Sequence, residues 1–141
     1  MIISSSRTAP YRFGEFGPGY IIRGPRTDYG VVFLRPGDDA GNHYHAHIEE
    51  TFVALEGECT LWIDGRGRHT IRVGDVLQME PGDQHYFVNN SAGDFRALFV
   101  KAPYDPDDSV QVPWKPGEAE PLLAPKKSEQ QFLGDGQHID G

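Results

Sequence analysis

Short apolar, β-branched segments follow one another closely, and each ends in a turn signal. YIIRG, YGVVFLRPG, ETFVALEGE, CTLWIDGRG, HTIRVGD, VLQMEPGD, HYFVNNSAGD and FRALFVKAP all fit this description. None sustains the 3.6-residue period of an amphipathic helix, so the pattern predicts an all-β sandwich or barrel. The 17 glycines and 11 prolines are scattered, as many short strands require. Asp64–Gly65 is a strong tight-turn signal.

With 141 residues the chain has room for one domain with a real core. The pattern predicts a single β-barrel over residues 1–103, with an N-terminal strand extension. A tail over 104–141 is expected to wrap the barrel in part and to end in a mobile stretch. The tail carries five prolines between residues 104 and 125 and is too polar to build its own core. Trp114 and the Leu122–Leu123 pair are its expected anchors, and SEQQFL is expected to make a helical turn or two.

The formal net charge of −8 argues against a large basic footprint, so no nucleic-acid partner is expected. No apolar run approaches the ~20 residues that span a bilayer, so no membrane partner is expected either. Cys59 is the single cysteine, which excludes an internal disulfide and reads as a small core residue. The N-terminal stretch lacks the apolar region of a signal peptide, and the expected location is cytoplasmic.

The chemistry concentrates in GNHYHAHIEETFVALEG, residues 41–57. On a strand, residues i and i+2 face the same way, so a His-x-His pair aims two imidazoles into one space. Such donors suit Zn, Fe, Ni, Mn or Cu, and an added carboxylate favours a divalent cation. His43, His45 and His47 share a parity with Glu49, whereas Glu50 fits only if the strand bends after His45. Parity alone leaves three histidines and two carboxylates open.

Here the sequence resembles the cupin superfamily, in its small single-domain form. Its first motif is matched by Gly37, five residues, His43-Tyr44-His45, four residues, Glu50, six residues and Gly57. The second is matched by Gly74, five residues, Glu80-Pro81-Gly82, two residues, His85, three residues and Asn89. Glu80 departs from the motif's first proline, at a position that is not a ligand. The resemblance implies a cupin-type β-barrel, a jelly roll or double-stranded β-helix, with one divalent transition metal ion inside. It assigns the ion, Mn, Fe, Ni, Co or Zn, to His43, His45, Glu50 and His85, and moves His47 to the pocket edge.

Strand alternation then places Phe52 beside Glu50 and Phe87 beside His85 on the ligand face. Gln78 is a candidate to reach the pocket. Arg96 is a candidate to bind a carboxylate bidentately if it faces inward, the alternative being an outward arginine.

The expected function is a metal-dependent enzyme, an isomerase, lyase or dioxygenase. Its ligand would be a small oxygen-rich metabolite, a hydroxy, keto or sugar acid chelated at the metal. The chemistry would be isomerase, lyase or decarboxylase-type Lewis-acid catalysis, or dioxygenation. The alternative is a non-catalytic small-molecule-binding or sensor cupin. A homodimer is expected, with YGVVFLRPG or the N-terminal MIISSS supplying an edge strand.

Overall fold

The computed structural model describes residues 1–126. They form ten strands: β1 (Gly17–Arg23), β2 (Asp28–Leu34), β3 (His43–Tyr44), β4 (Glu49–Glu56), β5 (Glu58–Ile63), β6 (Gly67–Arg72), β7 (Val76–Met79), β8 (His85–Val88), β9 (Phe95–Ala102) and β10 (Val110–Gln111). Two five-stranded sheets result, in the orders β1-β2-β9-β4-β7 and β10-β3-β8-β5-β6, with antiparallel pairing throughout. Among the described residues no helix is long and apolar enough to cross a membrane.

Alternation decides which side chains enter the space between the sheets. On β4, Glu50, Phe52 and Ala54 are buried; on β9, Phe95, Ala97 and Phe99 are. They pack with Val32, Leu34, Cys59, Leu61, Ile71, Met79 and Phe87 into one core. Cys59 is part of that core, and burial pushes its thiol up to about 12, which keeps it protonated and inert.

Two turns show how sequence fixes the layer order. Asp64 and Gly65 adopt φ of 55° and 69°, the left-handed values that Asp and Gly tolerate best, and they close the β5–β6 hairpin. Gly57 has φ 71° where the chain leaves one sheet for the other between β4 and β5. A Cβ there would run into the Asp94 carbonyl oxygen. Asn89 is fully buried and ties two segments together, donating to the carbonyls of Leu34 (2.9 Å) and Gly93 (2.8 Å).

The segment after β9 returns to the barrel. β10 adds to β3, pairing Val110 with Tyr44 and Gln111 with His43. Trp114 is buried against Trp62 and Tyr86 at ring-centroid distances of 5.8 and 6.0 Å. Lys126 bridges Asp64 and Asp83, both at 2.7 Å. Two expectations need correction. Leu122 is 92% exposed and Leu123 46%, so their side chains do not anchor the wrap; instead the Leu122 carbonyl accepts a bond from Gln84. YGVVFLRPG does not offer a free edge, because β2 lies between β1 and β9. Its residues Val31, Val32 and Leu34 are all buried, which an edge strand open to a partner would not need. Met1, Ile2 and Ile3 are exposed and lie outside the strands. SEQQFL and His138 fall outside the described residues.

Candidate metal centre

His43 on β3 and His85 on β8 are direct antiparallel partners, so both rings leave the sheet on the same side, 4.2 Å apart. After Tyr44 the chain crosses to the other sheet over residues 45–48 and resumes as β4. That crossover is the bend that Glu50 requires. His45 sits at its start and Glu50 just beyond its end, facing the histidines from the opposite sheet. One donor atom from each of His43, His45, Glu50 and His85 lies within 4.8 Å of all the others. Parity that conflicts along one strand is resolved because the four residues come from two sheets.

The backs of the three imidazoles define their protonation. His43 Nδ1 faces the Gly41 carbonyl at 3.2 Å, His85 Nδ1 faces the Asp83 carbonyl at 2.9 Å, and His45 Nδ1 faces the Asp108 carbonyl. A carbonyl only accepts, so each Nδ1 carries the proton and donates it. In the neutral ring this leaves Nε2 with a lone pair, and His45 and His85 point Nε2 at Glu50 Oε1 from 2.9 and 3.2 Å. Burial, reinforced by the neighbouring His85, holds His43 well below the usual histidine range, so it stays neutral at pH 7. Burial works to raise the Glu50 carboxyl. In the metal-free protein a ring that also carries a proton on Nε2 donates it to Glu50. That bonding from His45 and His85, with the Lys101 charge, overcomes burial and holds the carboxyl well below the usual carboxylate range.

Lone pairs facing a carboxylate oxygen call for a cation between them. Three imidazole nitrogens and one carboxylate make a donor set for a first-row divalent ion. The 2.9–3.2 Å spacing is that of adjacent donors each about 2.1 Å from one ion. The residues present fit the group.

A cavity opens over this cluster. Phe52 and Phe87 form part of its wall beside His85, their rings tilted by 60° with centroids 4.8 Å apart. Lys101 enters from β9, where it pairs with Glu50 on β4. Its Nζ lies 3.9 Å from Glu50 Oε2 and donates to the Tyr20 hydroxyl at 2.7 Å. The Arg23 guanidinium lies 3.9 Å from the Tyr20 ring centroid and is paired with buried Asp28 at 3.3 Å. Arg12 also lines the opening, as do Asp105 and Asp108 from the segment after β9.

Three pocket candidates lie elsewhere. His47 is exposed on the crossover and outside the donor cluster. Gln78 is exposed and donates to Thr51 Oγ1 at 3.1 Å, because β7 turns Met79 inward and its neighbour outward. Arg96 has the parity opposite to Phe95, Ala97 and Phe99. It points away from the cavity to the Tyr11 hydroxyl (3.0 Å) and Glu56 (3.3 Å).

Of the cations that line the cavity, Lys101 is the one beside Glu50, and sequence reasoning missed it although it continues the inward series Phe95, Ala97, Phe99. Tyr20, Arg23 and Asp108 were missed as well, and no local pattern marks them.

The cupin-domain family model matches residues 30–101 of the 141. The chain belongs to the cupin family. Over 60 residues this cupin is 35% identical to Quercetin 2,3-dioxygenase of Bacillus subtilis, a match covering 43% of the chain and 15% of that protein. The chain thus spans only a small part of that relative's length. Among solved structures, it resembles a conserved protein with a double-stranded β-helix domain from Klebsiella pneumoniae, with TM-score 0.70 and 20% identity, covering 82% of this chain and 99% of that one. It also resembles a Cupin 2 conserved barrel protein from Salinispora arenicola, with TM-score 0.59 and 23% identity, covering 75% and 89%. These likenesses show the fold.

Proposed function

We propose that this cupin holds one divalent transition metal ion, Mn, Fe, Ni, Co or Zn, on His43, His45, Glu50 and His85. It acts as an enzyme on a small oxygen-rich acid, a hydroxy, keto or sugar acid. The observation that carries the proposal is the Lys101 ammonium, which enters the same cavity from the wall beside Glu50. The charged groups lining the cavity, Arg12, Arg23 and Lys101 against Asp28, Glu50, Asp105 and Asp108, come to −1, so a divalent ion makes the site net positive, with Lys101 placed beside Glu50. An anionic ligand is the complement.

A bound ion of this class supplies Lewis acidity to an oxygen donor, or, as iron, a place for dioxygen chemistry. The chain's own residues do the rest. Lys101 receives the acid's carboxylate. Because Lys101 donates to the Tyr20 oxygen, the Tyr20 proton is directed elsewhere and is available to the ligand. Phe52, Phe87 and Phe99 keep water from the inner wall.

Isomerase, lyase or decarboxylase chemistry and dioxygenation both suit this arrangement, and the likeness to part of Quercetin 2,3-dioxygenase supports the second. Reconstituting the purified protein with each of the five ions, then following turnover and O₂ uptake across a panel of such acids, separates the two. A protein that retains none of the five ions overturns the proposal. We further place the protein in the cytoplasm as a homodimer; a light-scattering mass of a single chain at micromolar concentration would contradict the dimer.

A further inference from the structure

The crossover that carries His45 to Glu50 leaves both sheets, so its backbone N–H groups lose their ladder partners. Three consecutive N–H groups, from Ala46, His47 and Ile48, instead converge on one side chain from far along the sequence. Asp108 Oδ1 accepts from Ala46 at 2.7 Å, and Oδ2 accepts from His47 at 2.7 Å and from Ile48 at 2.9 Å. Successive N–H groups around a carboxylate make an anion nest, and hydrogen bonds to a charge are about twice as strong as neutral ones. The backbone carbonyl of the same residue accepts the His45 Nδ1 proton.

Asp108 is itself fixed. It is buried, its N–H donates to Asp105 at 3.2 Å, and the segment is held on one side by Tyr104 N–H on the Arg26 carbonyl (2.8 Å) and on the other by β10. One residue thus sets both the path of the crossover and the direction of the ring it carries.

We propose that Asp108 is the positioning residue of the metal centre. Its carboxylate fixes the crossover, and its carbonyl fixes the tautomer and angle of His45, so that Nε2 faces Glu50. The segment after the barrel's long strands is therefore part of the site. This inference rests on the metal-binding reading above.

The test is a Co²⁺ titration of metal-free protein, read by visible absorption, on wild type, Asp108→Asn and Trp114→Phe. Asp108→Asn keeps the shape and the His45 carbonyl partner but turns an NH₂ group toward N–H donors. Disturbing the support of a metal ligand weakens metal binding by about 10–100-fold. In Asp108→Asn the carbonyl behind His45 remains but the crossover is no longer held in place, and that weakening with an altered Co²⁺ spectrum is expected. Trp114→Phe, in the same C-terminal segment but away from the donors, is expected to lower the unfolding midpoint and leave both Co²⁺ readouts unchanged. A folded Asp108→Asn with wild-type affinity and spectrum overturns the inference while the metal reading stands. Wild type that takes up no Co²⁺ overturns both.

Should Asp108→Asn fail to fold, nitrogen NMR of Zn²⁺-loaded wild type decides. His45 ligating through Nε2 with a protonated Nδ1 supports the role, and ligation through Nδ1 overturns it.

Discussion

The two ends of the barrel interior are built on the same strands with the same parity, yet they are held together by different forces. At one end β4 contributes Phe52 and Ala54, β8 Phe87, and β9 Phe95, Ala97 and Phe99, all buried apolar groups. At the other end the same inward series reaches Glu50 on β4, His85 on β8 and Lys101 on β9. The apolar end is stabilised by area removed from water, which asks only for size and fit. The polar end is fixed by hydrogen bonds from outside the regular strands: the carbonyls of Gly41, Asp83 and Asp108 behind the rings, and the Asp108 carboxylate beneath the crossover. Strand alternation supplies direction at both ends, but only loops and the C-terminal segment supply orientation.

Substitutions at the two ends should therefore fail in different ways. The largest effect is expected for Phe95→Ala, since the ring is fully buried and stacked 6.3 Å from Phe87. Such truncations cost about 3–5 kcal/mol, measurable by denaturant unfolding. Metal content per folded molecule should be unchanged.

Glu50→Gln should do the reverse. Removing a direct ligand should weaken Co²⁺ or Mn²⁺ binding by more than about 100-fold, since even outer partners are worth about 10–100-fold. The unfolding midpoint of the metal-free protein should move far less than for Phe95→Ala. Equal losses in both assays would erase the contrast between the ends.

Lys101→Met should leave metal content intact and weaken binding of a carboxylate ligand by about 10–100-fold, the worth of one hydrogen bond to a charge. Isothermal titration with a small hydroxy acid checks this, and unchanged affinity would remove Lys101 from ligand recognition.

Acid should destabilise the polar end first. Burial lowers the His43 pKa well below 6.5, so below that pH the unfolded chain binds more protons than the folded one. Stability of the metal-free protein is therefore complete above about pH 6.5 and is lost as pH falls toward the folded value. Glu50 acts in the same direction at lower pH: its pKa is held below 4.5, and its contribution is lost as pH falls through the folded value. Unfolding midpoints measured at about pH 7 and pH 5 should differ, and His43→Gln should flatten the difference.

The smallest effect is expected for Arg96→Ala. Its pairing with Glu56 lies outside the cavity and is partly exposed, so the loss should stay below about 1 kcal/mol with no change in ligand affinity.

Much of the fold was legible in the residues. The all-β class followed from short apolar segments without a helical period, each closed by turn residues, and the Asp64–Gly65 turn from its residue types. The spacing from Gly37 to Gly57 and from Gly74 to Asn89, through its likeness to cupins, named the four residues that the structure gathers. Parity gave the inward faces of β4 and β8, hence Phe52 and Phe87. On β9 the outward alternative for Arg96 is the one that the strand supports, and the inward phase set by Phe95, Ala97 and Phe99 leads on to Lys101, which its residue type did not single out. Gln78 shows the opposite limit, since a four-residue strand at a sheet edge does not reveal which face is covered.

The sequence by itself determined what is local: which residues alternate, where left-handed turns fall, and which imidazoles lie near one another along the chain. Only the tertiary structure decided what faces them. Glu50 opposes the histidines because the chain changes sheets after Tyr44. Lys101 meets Glu50 because β9 pairs with β4, and Asp108 reaches the crossover from 60 or more positions away. Contacts of that separation are set by sheet order and loop closure, and no pattern in neighbouring residues encodes them.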